Sequence, residues 1–158
     1  MLKPAILYKT QIEQKFAELM YTDDAFLYNG YSHACVLPEI KPEEGYYQYA
    51  ILDGEAVVGY LTYFINGYSD SVERFGLISF DKGNLTVTLD TFTELKRLVK
   101  EHRRVEWRCV GGNPAESAYD KFCAKYNGYK STHHKCVRDN LGNFRDSYTY
   151  EILREMIP

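Results

Sequence analysis

Little in this sequence points toward a charged polymer, a membrane or a metal. Lysine and arginine number 19 against 22 acidic residues, a formal net charge of -3, so the chain lacks the basic excess by which most nucleic-acid binders neutralise phosphates. Nucleic acid is not an expected partner. No apolar run approaches the roughly 20 residues that span a bilayer, and residues 1–8 lack the charged start and apolar stretch of a secretion signal. A cytoplasmic protein without membrane contact is the expectation. The four cysteines, Cys35, Cys109, Cys123 and Cys136, form no C-x-x-C pair and are read as reduced thiols. His133, His134 and Cys136 make the densest metal-like cluster, but successive side chains of a strand point to opposite faces, which sends His133 away from the other two. No metal site is expected. Ser-His-Asp, Cys-His-Asn and phosphate-loop patterns are also missing, which sets hydrolase and kinase chemistry aside.

What is present suits one domain over residues 1–158. At 158 residues, 45% hydrophobic and 26% charged, the chain can bury roughly 70% of its unfolded surface without a disulfide or metal to support a core. Fifteen tyrosines are an excess that fits either half-buried strands or the lining of a pocket.

Periodicity divides the chain into alternating elements. Residues 4–8 form a short apolar strand. Thr10 and Glu13 have capping-box spacing ahead of Ile12, Phe16, Leu19 and Met20, which predicts a helix over 11–21. A second short helix is placed before Asn29-Gly30. Two β-rich runs, 46–52 and 55–66, flank Asp53-Gly54, a dipeptide that supplies two positive φ angles to a tight hairpin. A third strand, 71–80, carries Gly76, which marks a bulge or a close approach of backbone or ligand. Leu89, Phe92, Leu95, Leu98 and Val99 then take helical spacing, with Thr91 and Glu94 offering a cap. The strand 104–110 ends at Gly111-Gly112. The next helix has Asn113 as N-cap, Pro114 in the first turn, Glu116 at the reciprocal position and Asn127-Gly128 as a left-handed stop; its inward stripe is Ala115, Tyr119, Phe122, Cys123 and Tyr126. Strands 129–137 and 144–153 close the chain. The fold class is α+β (mixed α/β), with about seven mostly antiparallel strands flanked by helices.

In this order of elements, and in two loops, the chain resembles the GNAT superfamily of acyl-CoA-dependent N-acetyltransferases over nearly its whole length. The family's pyrophosphate loop, R/Q-x-x-G-x-G/A, corresponds to residues 80–85, which keep Gly83 but lack the leading Arg or Gln and the final small residue. The resemblance implies that Lys82, Gly83, Asn84 and Leu85 hold the pyrophosphate of acetyl-CoA, where a glycine turns amides inward and a helix start presents unpaired N–H groups. A solvated strand-to-helix turn is the other reading of these residues. By the same resemblance Ile78, Ser79 and Phe80 flank the pantetheine arm, with a backbone N–H near residues 76–78 polarising the thioester carbonyl.

Residues 113–119 are similar to the family's N-x-x-A/S stretch leading to a tyrosine, one residue out of register. That implies Asn113 at the cofactor and Tyr119 as the proton donor to the leaving thiolate, with a core tyrosine as the alternative. Glu73 corresponds to a position where many relatives carry a carboxylate, and it stands as general base or as an ordinary surface residue. Arg103, Arg104 and Arg108 either meet the nucleotide phosphate or solvate a strand. The implied activity is acetyl transfer to an amine of a small molecule or protein, the amine contacts coming from residues 22–45 and 66–70. A catalytically silent CoA-binding or protein-interaction module, or an interaction domain with no CoA site, remains open, as does assembly into a homodimer. The structural expectation is a V-shaped gap between strands 71–80 and 104–110.

Overall fold

The structure, a computed structural model, describes residues 1–28 and 37–157. Its strands are β1 (Leu2–Pro4), β2 (Tyr46–Asp53), β3 (Ala56–Asn66), β4 (Ser71–Ser79), β5 (Arg104–Val110), β6 (Tyr129–Arg138) and β7 (Phe144–Leu153). Its α-helices are α1 (Lys9–Met20), α2 (Leu85–Glu101) and α3 (Glu116–Lys125). The strands make one sheet in the order β1-β2-β3-β4-β5-β7-β6, antiparallel at every junction except β4 with β5. This is the mixed α+β arrangement expected, because α2 crosses over between two parallel neighbours while short turns join β2 to β3, β3 to β4 and β6 to β7.

Helices cover the two faces unequally. Leu95 and Leu98 of α2 and Cys123 of α3 pack with Leu61, Val72 and Trp107 of the sheet, all nearly solvent-free. Against the opposite face, α1 places Ile12 and Phe16 on Ala50, Tyr60 and Ile78. That second layer sits over β2, β3 and the end of β4. A buried polar link ties the first layer together: the Tyr63 hydroxyl donates to Glu94 Oε1 at 2.6 Å, and Arg97 donates to the same carboxylate at 2.6 and 3.0 Å. Burial works to raise the Glu94 pKa, but the Arg97 guanidinium and the Tyr63 hydroxyl outweigh it and hold the carboxylate below its usual range.

Several predicted boundaries shift, each for a local reason. The first strand is Leu2–Pro4 rather than 4–8, because Pro4 has no N–H for a ladder; residues Ala5–Tyr8 wind into a 3-10 turn instead. Helix α1 starts at Lys9, so Thr10 lies inside it and makes no cap. The hairpin turn is Gly54-Glu55, since Asp53 pairs with Ala56, and of the two only Gly54 has a positive φ (60°), the pattern of a type II′ turn. The N-cap of α2 is Asn84, whose Oδ1 accepts from the Thr86 and Val87 amides at 2.9 and 3.4 Å. Thr91 and Glu94 are therefore mid-helix and buried, and Leu89, in the extra N-terminal turns, is 65% exposed. Helix α3 begins at Glu116, two residues later than a cap at Asn113 implies. Asn113 Oδ1 accepts from the Ala115 amide at 2.9 Å and Glu116 reaches back to the Gly112 amide at 3.0 Å, so the capping pair is used one turn early. The short helix expected before Asn29-Gly30 is a 3-10 turn, Ala25–Leu27; Asn29, Gly30 and Cys35 lie outside the described residues.

At the end of α3 the two stop residues do different work. Asn127 takes the left-handed conformation (φ 53°), whereas Gly128 is needed for room: a Cβ there would lie 2.7 Å from Cys123 Sγ and 2.7 Å from the Glu151 carbonyl oxygen. Gly128→Ala should therefore lower unfolding free energy by roughly 1 to 3 kcal/mol, as overpacked sites do. Urea denaturation measures it, and an unchanged midpoint would show that α3 is not wedged against β7 at this point.

Candidate functional site

Strand β4 holds one residue more than either neighbour allows for. Against β3, Thr62 pairs with Gly76 and Phe64 with Glu73; against β5, Val72 pairs with Val105 and Phe75 with Trp107. Both ladders skip at the same place, and Arg74 there has a φ of 54°, a left-handed conformation that a non-glycine residue adopts at a cost of about 1–3 kcal/mol. The bulge lies beside Gly76 rather than on it. Beyond Phe75 the β4–β5 pairing stops, which produces the gap that the element order predicts.

A cleft of about 520 Å³ occupies this gap. Glu73, Ile78, Tyr119 and Asn113 all line it, so four of the predicted residues are brought together. Because the Phe80 amide bonds the Val58 carbonyl and Ile78 stands opposite Tyr60, ladder alternation turns the amides of Gly76 and Ile78 toward β3. Those of Leu77 and Ser79 face the other way, toward the cleft.

Each lining group has its own partners. The Tyr119 ring packs 5.6 Å from Phe92 and 5.9 Å from both Trp107 and Tyr150, and burial pushes its pKa above the ordinary tyrosine value. Among the described residues its hydroxyl makes no hydrogen bond. Glu73 Oε1 accepts from the Ser71 hydroxyl at 2.8 Å. Sequence reasoning missed Tyr28, whose hydroxyl donates to the cleft-facing Ser79 carbonyl at 3.2 Å; it sits in a segment with no periodic pattern to flag it. Cys109 was assigned only to a strand. Burial and the nearby Glu116 carboxylate push its thiol up to about 12, so it is inert as a nucleophile at neutral pH. Among the described residues the buried Trp107 indole N–H has no hydrogen-bond partner.

The predicted pyrophosphate residues, Lys82, Gly83, Asn84 and Leu85, lie apart from the cleft, at the start of α2. Gly83 has the positive φ (77°) that a turned loop needs, and a Cβ on it would meet nothing within 4 Å. Asn84 occupies the Thr86 and Val87 amides and donates to Asp53 and Asp81 at 3.1 and 3.0 Å, while Lys82 pairs with Asp24. Phe80 lines a separate groove beside α1. Of the three arginines, Arg104 is held by Glu106 and Glu151 at 2.6 and 2.8 Å, the Arg103 amide is taken by Asp70, and Arg108 lines the cleft. Among the described residues no group of His, Cys, Asp and Glu has the arrangement of a metal site, and no helix is long and apolar enough to cross a membrane.

Known structures share this architecture. The chain aligns over 98% of its length with 98% of an N-acetyltransferase from Staphylococcus aureus Mu50 (TM-score 0.64, 15% identity). It aligns over 99% with 87% of a probable acetyltransferase of the GNAT family from Chromobacterium violaceum ATCC 12472 (TM-score 0.63, 17% identity). A GCN5-related N-acetyltransferase from Brucella melitensis matches over 98% of this chain and 76% of its own (TM-score 0.60, 14% identity). Of one further inferred acetyltransferase the chain spans 60% of the length, at a TM-score of 0.52 and 20% identity. No family model and no curated protein matches the sequence. The fold is that of the GNAT acetyltransferases.

The environments of the thiols give a direct check. In a Cys35→Ser background at pH 7.5, exposed Cys136 should react with a soluble thiol reagent at a rate near that of a free thiol. Cys109 and Cys123, both buried, should react only as the protein unfolds. Mass spectrometry after limited labelling reads the order, and early labelling of Cys109 would show that the cleft is open to its floor.

Proposed function

We propose that residues 1–158 form one acyltransferase domain that moves an acetyl group from acetyl-CoA to an amine, with the β4–β5 cleft as its active site. The observation that carries this reading is the bulge at Arg74, which leaves the Leu77 and Ser79 amides facing a cleft of about 520 Å³ instead of a neighbouring strand. Acetyl-CoA supplies an acyl group already activated as a thioester. The Leu77 N–H holds the carbonyl oxygen where negative charge develops, a role that needs a fixed donor and no particular side chain. Glu73 takes a proton from the incoming ammonium, directly or through water, so that a neutral amine attacks. Tyr119 directs its hydroxyl at the departing sulfur. With its pKa above the ordinary value, the phenol keeps its proton and is a weaker acid than a thiol, so it holds the departing thiolate by a hydrogen bond; as the C–S bond breaks, CoA leaves as the thiolate and the second proton of the attacking nitrogen passes to solvent.

The pantetheine arm would run along Ile78 and Ser79, competing with Tyr28 for the Ser79 carbonyl. Gly83 leaves space for a diphosphate, and the Leu85 amide is not claimed by the Asn84 cap. The Thr86 and Val87 amides become available only if the Asn84 side chain turns away, and Asp53 and Asp81 oppose an anion there. Those carboxylates favour the second reading, a GNAT-fold module that binds CoA weakly and does not turn over.

Two measurements separate the readings. Acetyl-CoA at a hundredfold excess over its dissociation constant should stabilise the protein by about 2.7 kcal/mol, and Gly83→Glu should abolish that shift by placing bulk and charge at the diphosphate. A full shift in the substituted protein would move the site elsewhere. Tyr119→Phe should lower turnover roughly a hundredfold while leaving the melting temperature nearly unchanged, since among the described residues no partner is left unpaired. Turnover should show no alkaline decline from Tyr119 below about pH 10, as its pKa lies above the usual value. Unchanged turnover in Tyr119→Phe contradicts the role given to the hydroxyl, and an acetyl-CoA shift without turnover on any amine selects the silent module.

A further inference from the structure

The sheet face that borders the cleft carries charges of both signs, and most of them are already matched. Arg104 is bonded to Glu106 and Glu151, which removes all three from ligand recognition. Three groups lining the cleft are left. Glu73 has only the Ser71 hydroxyl, Arg74 lies over the Phe64 ring at 5.9 Å, and Arg108 has no carboxylate partner among the described residues. Arg74 and Arg108 are both exposed, so their guanidiniums remain hydrated and available to a ligand.

Their placement is set by the strands. With Val72 opposite Val105 and Phe75 opposite Trp107, Glu73 lies abreast of Glu106. Arg108 comes two residues further along β5, roughly 7 Å at the rise of an extended strand, and on the same side as Glu106 because side chains alternate. A guanidinium on its long side chain covers that distance. Glu73 and Arg108 thus flank the opening where the bulge turns β4 aside, with the Arg74 guanidinium held over Phe64 on the β3 side. A purely cationic acceptor such as a polyamine meets a like charge at Arg108; the N-terminus of a peptide offers Glu73 its amine but gives Arg108 an amide.

We propose that the acceptor is an α-amino acid, its amine against Glu73 and its carboxylate against Arg108, which binds carboxylates in bidentate fashion. The proposal rests on the acetyl-transfer reading for its chemistry and on the cleft charges for its selectivity, and the two fail in different ways.

The test uses the full chain and the twenty common amino acids, with decarboxylated counterparts such as phenethylamine for phenylalanine and 3-methylbutylamine for leucine. Each is titrated calorimetrically against the protein alone and then assayed for acetyl-CoA consumption. At least one amino acid should bind tenfold or more tightly than its decarboxylated amine, and Arg108→Met should bring that ratio near one. An unaltered melting temperature in Arg108→Met separates lost recognition from lost folding. Equal or tighter binding of the decarboxylated amines overturns the proposal, and so does a ratio that survives Arg108→Met. Acetylation of decarboxylated amines in preference to amino acids overturns it while upholding acetyl transfer. Selective amino-acid binding without any acetyl-CoA consumption upholds the carboxylate subsite and contradicts the transferase reading.

Discussion

Everything distinctive about this site follows from one extra residue in β4. A parallel pair of strands held along its whole length would fill the space between β4 and β5 with backbone hydrogen bonds and leave no opening. Arg74, wound to a φ of 54°, absorbs the surplus residue against β3 and β5 at once. The pairing after Phe75 is lost. With it go the hydrogen bonds that the Leu77 and Ser79 amides would otherwise make to β5, and these donors, without a backbone partner among the described residues, are what a ligand can use. A strained residue at a bulge is a common companion of function, since the surrounding structure must hold it in place.

The holding is done by aromatic packing on the far face. Trp107, 1% exposed, stacks on Tyr150 with centroids 5.2 Å apart and planes within 8°, and Tyr119 and Phe122 close around it from α3. On the other side of the bulge, Phe75 stacks on Tyr63, which is tied through Glu94 to α2. Phe75 and Trp107 are thereby each held by their own aromatic neighbours, within one continuous core, at the point where the two strands part. The Tyr119 ring serves packing, and the role proposed for its hydroxyl uses a different atom of the same cleft-lining side chain.

Much of this architecture was legible in the sequence because it depends on local periodicity. Strand β7 coincides with its predicted limits, and so does β5, whose alternation of Val105, Trp107 and Cys109 with Arg104, Glu106 and Arg108 survives as buried against less buried positions. Capping was read less well. Thr10 and Glu13 had the right spacing and no role, and Asn84, an ordinary turn residue in the sequence, was the true cap of α2. Glycine misdirected the search for the bulge: Gly76 suggested it, yet the left-handed residue is Arg74, and nothing in local composition marks an arginine for that conformation. Tyr28 could not be found from the chain alone, and Arg108 could not be told apart from Arg103 and Arg104, because each matters through contacts made or, among the described residues, withheld by distant strands.

The central claim is that the bulge frees two specific amides for a ligand. Hydrogen exchange resolved to single residues, with and without acetyl-CoA, examines it most directly. Exchange at Leu77 and Ser79 should be fast in the free protein and slow on ligand addition, while Gly76 and Ile78, already bonded to β3, should be protected in both states. Protection of Leu77 and Ser79 before any ligand is added, or no change at either when acetyl-CoA binds, would contradict it.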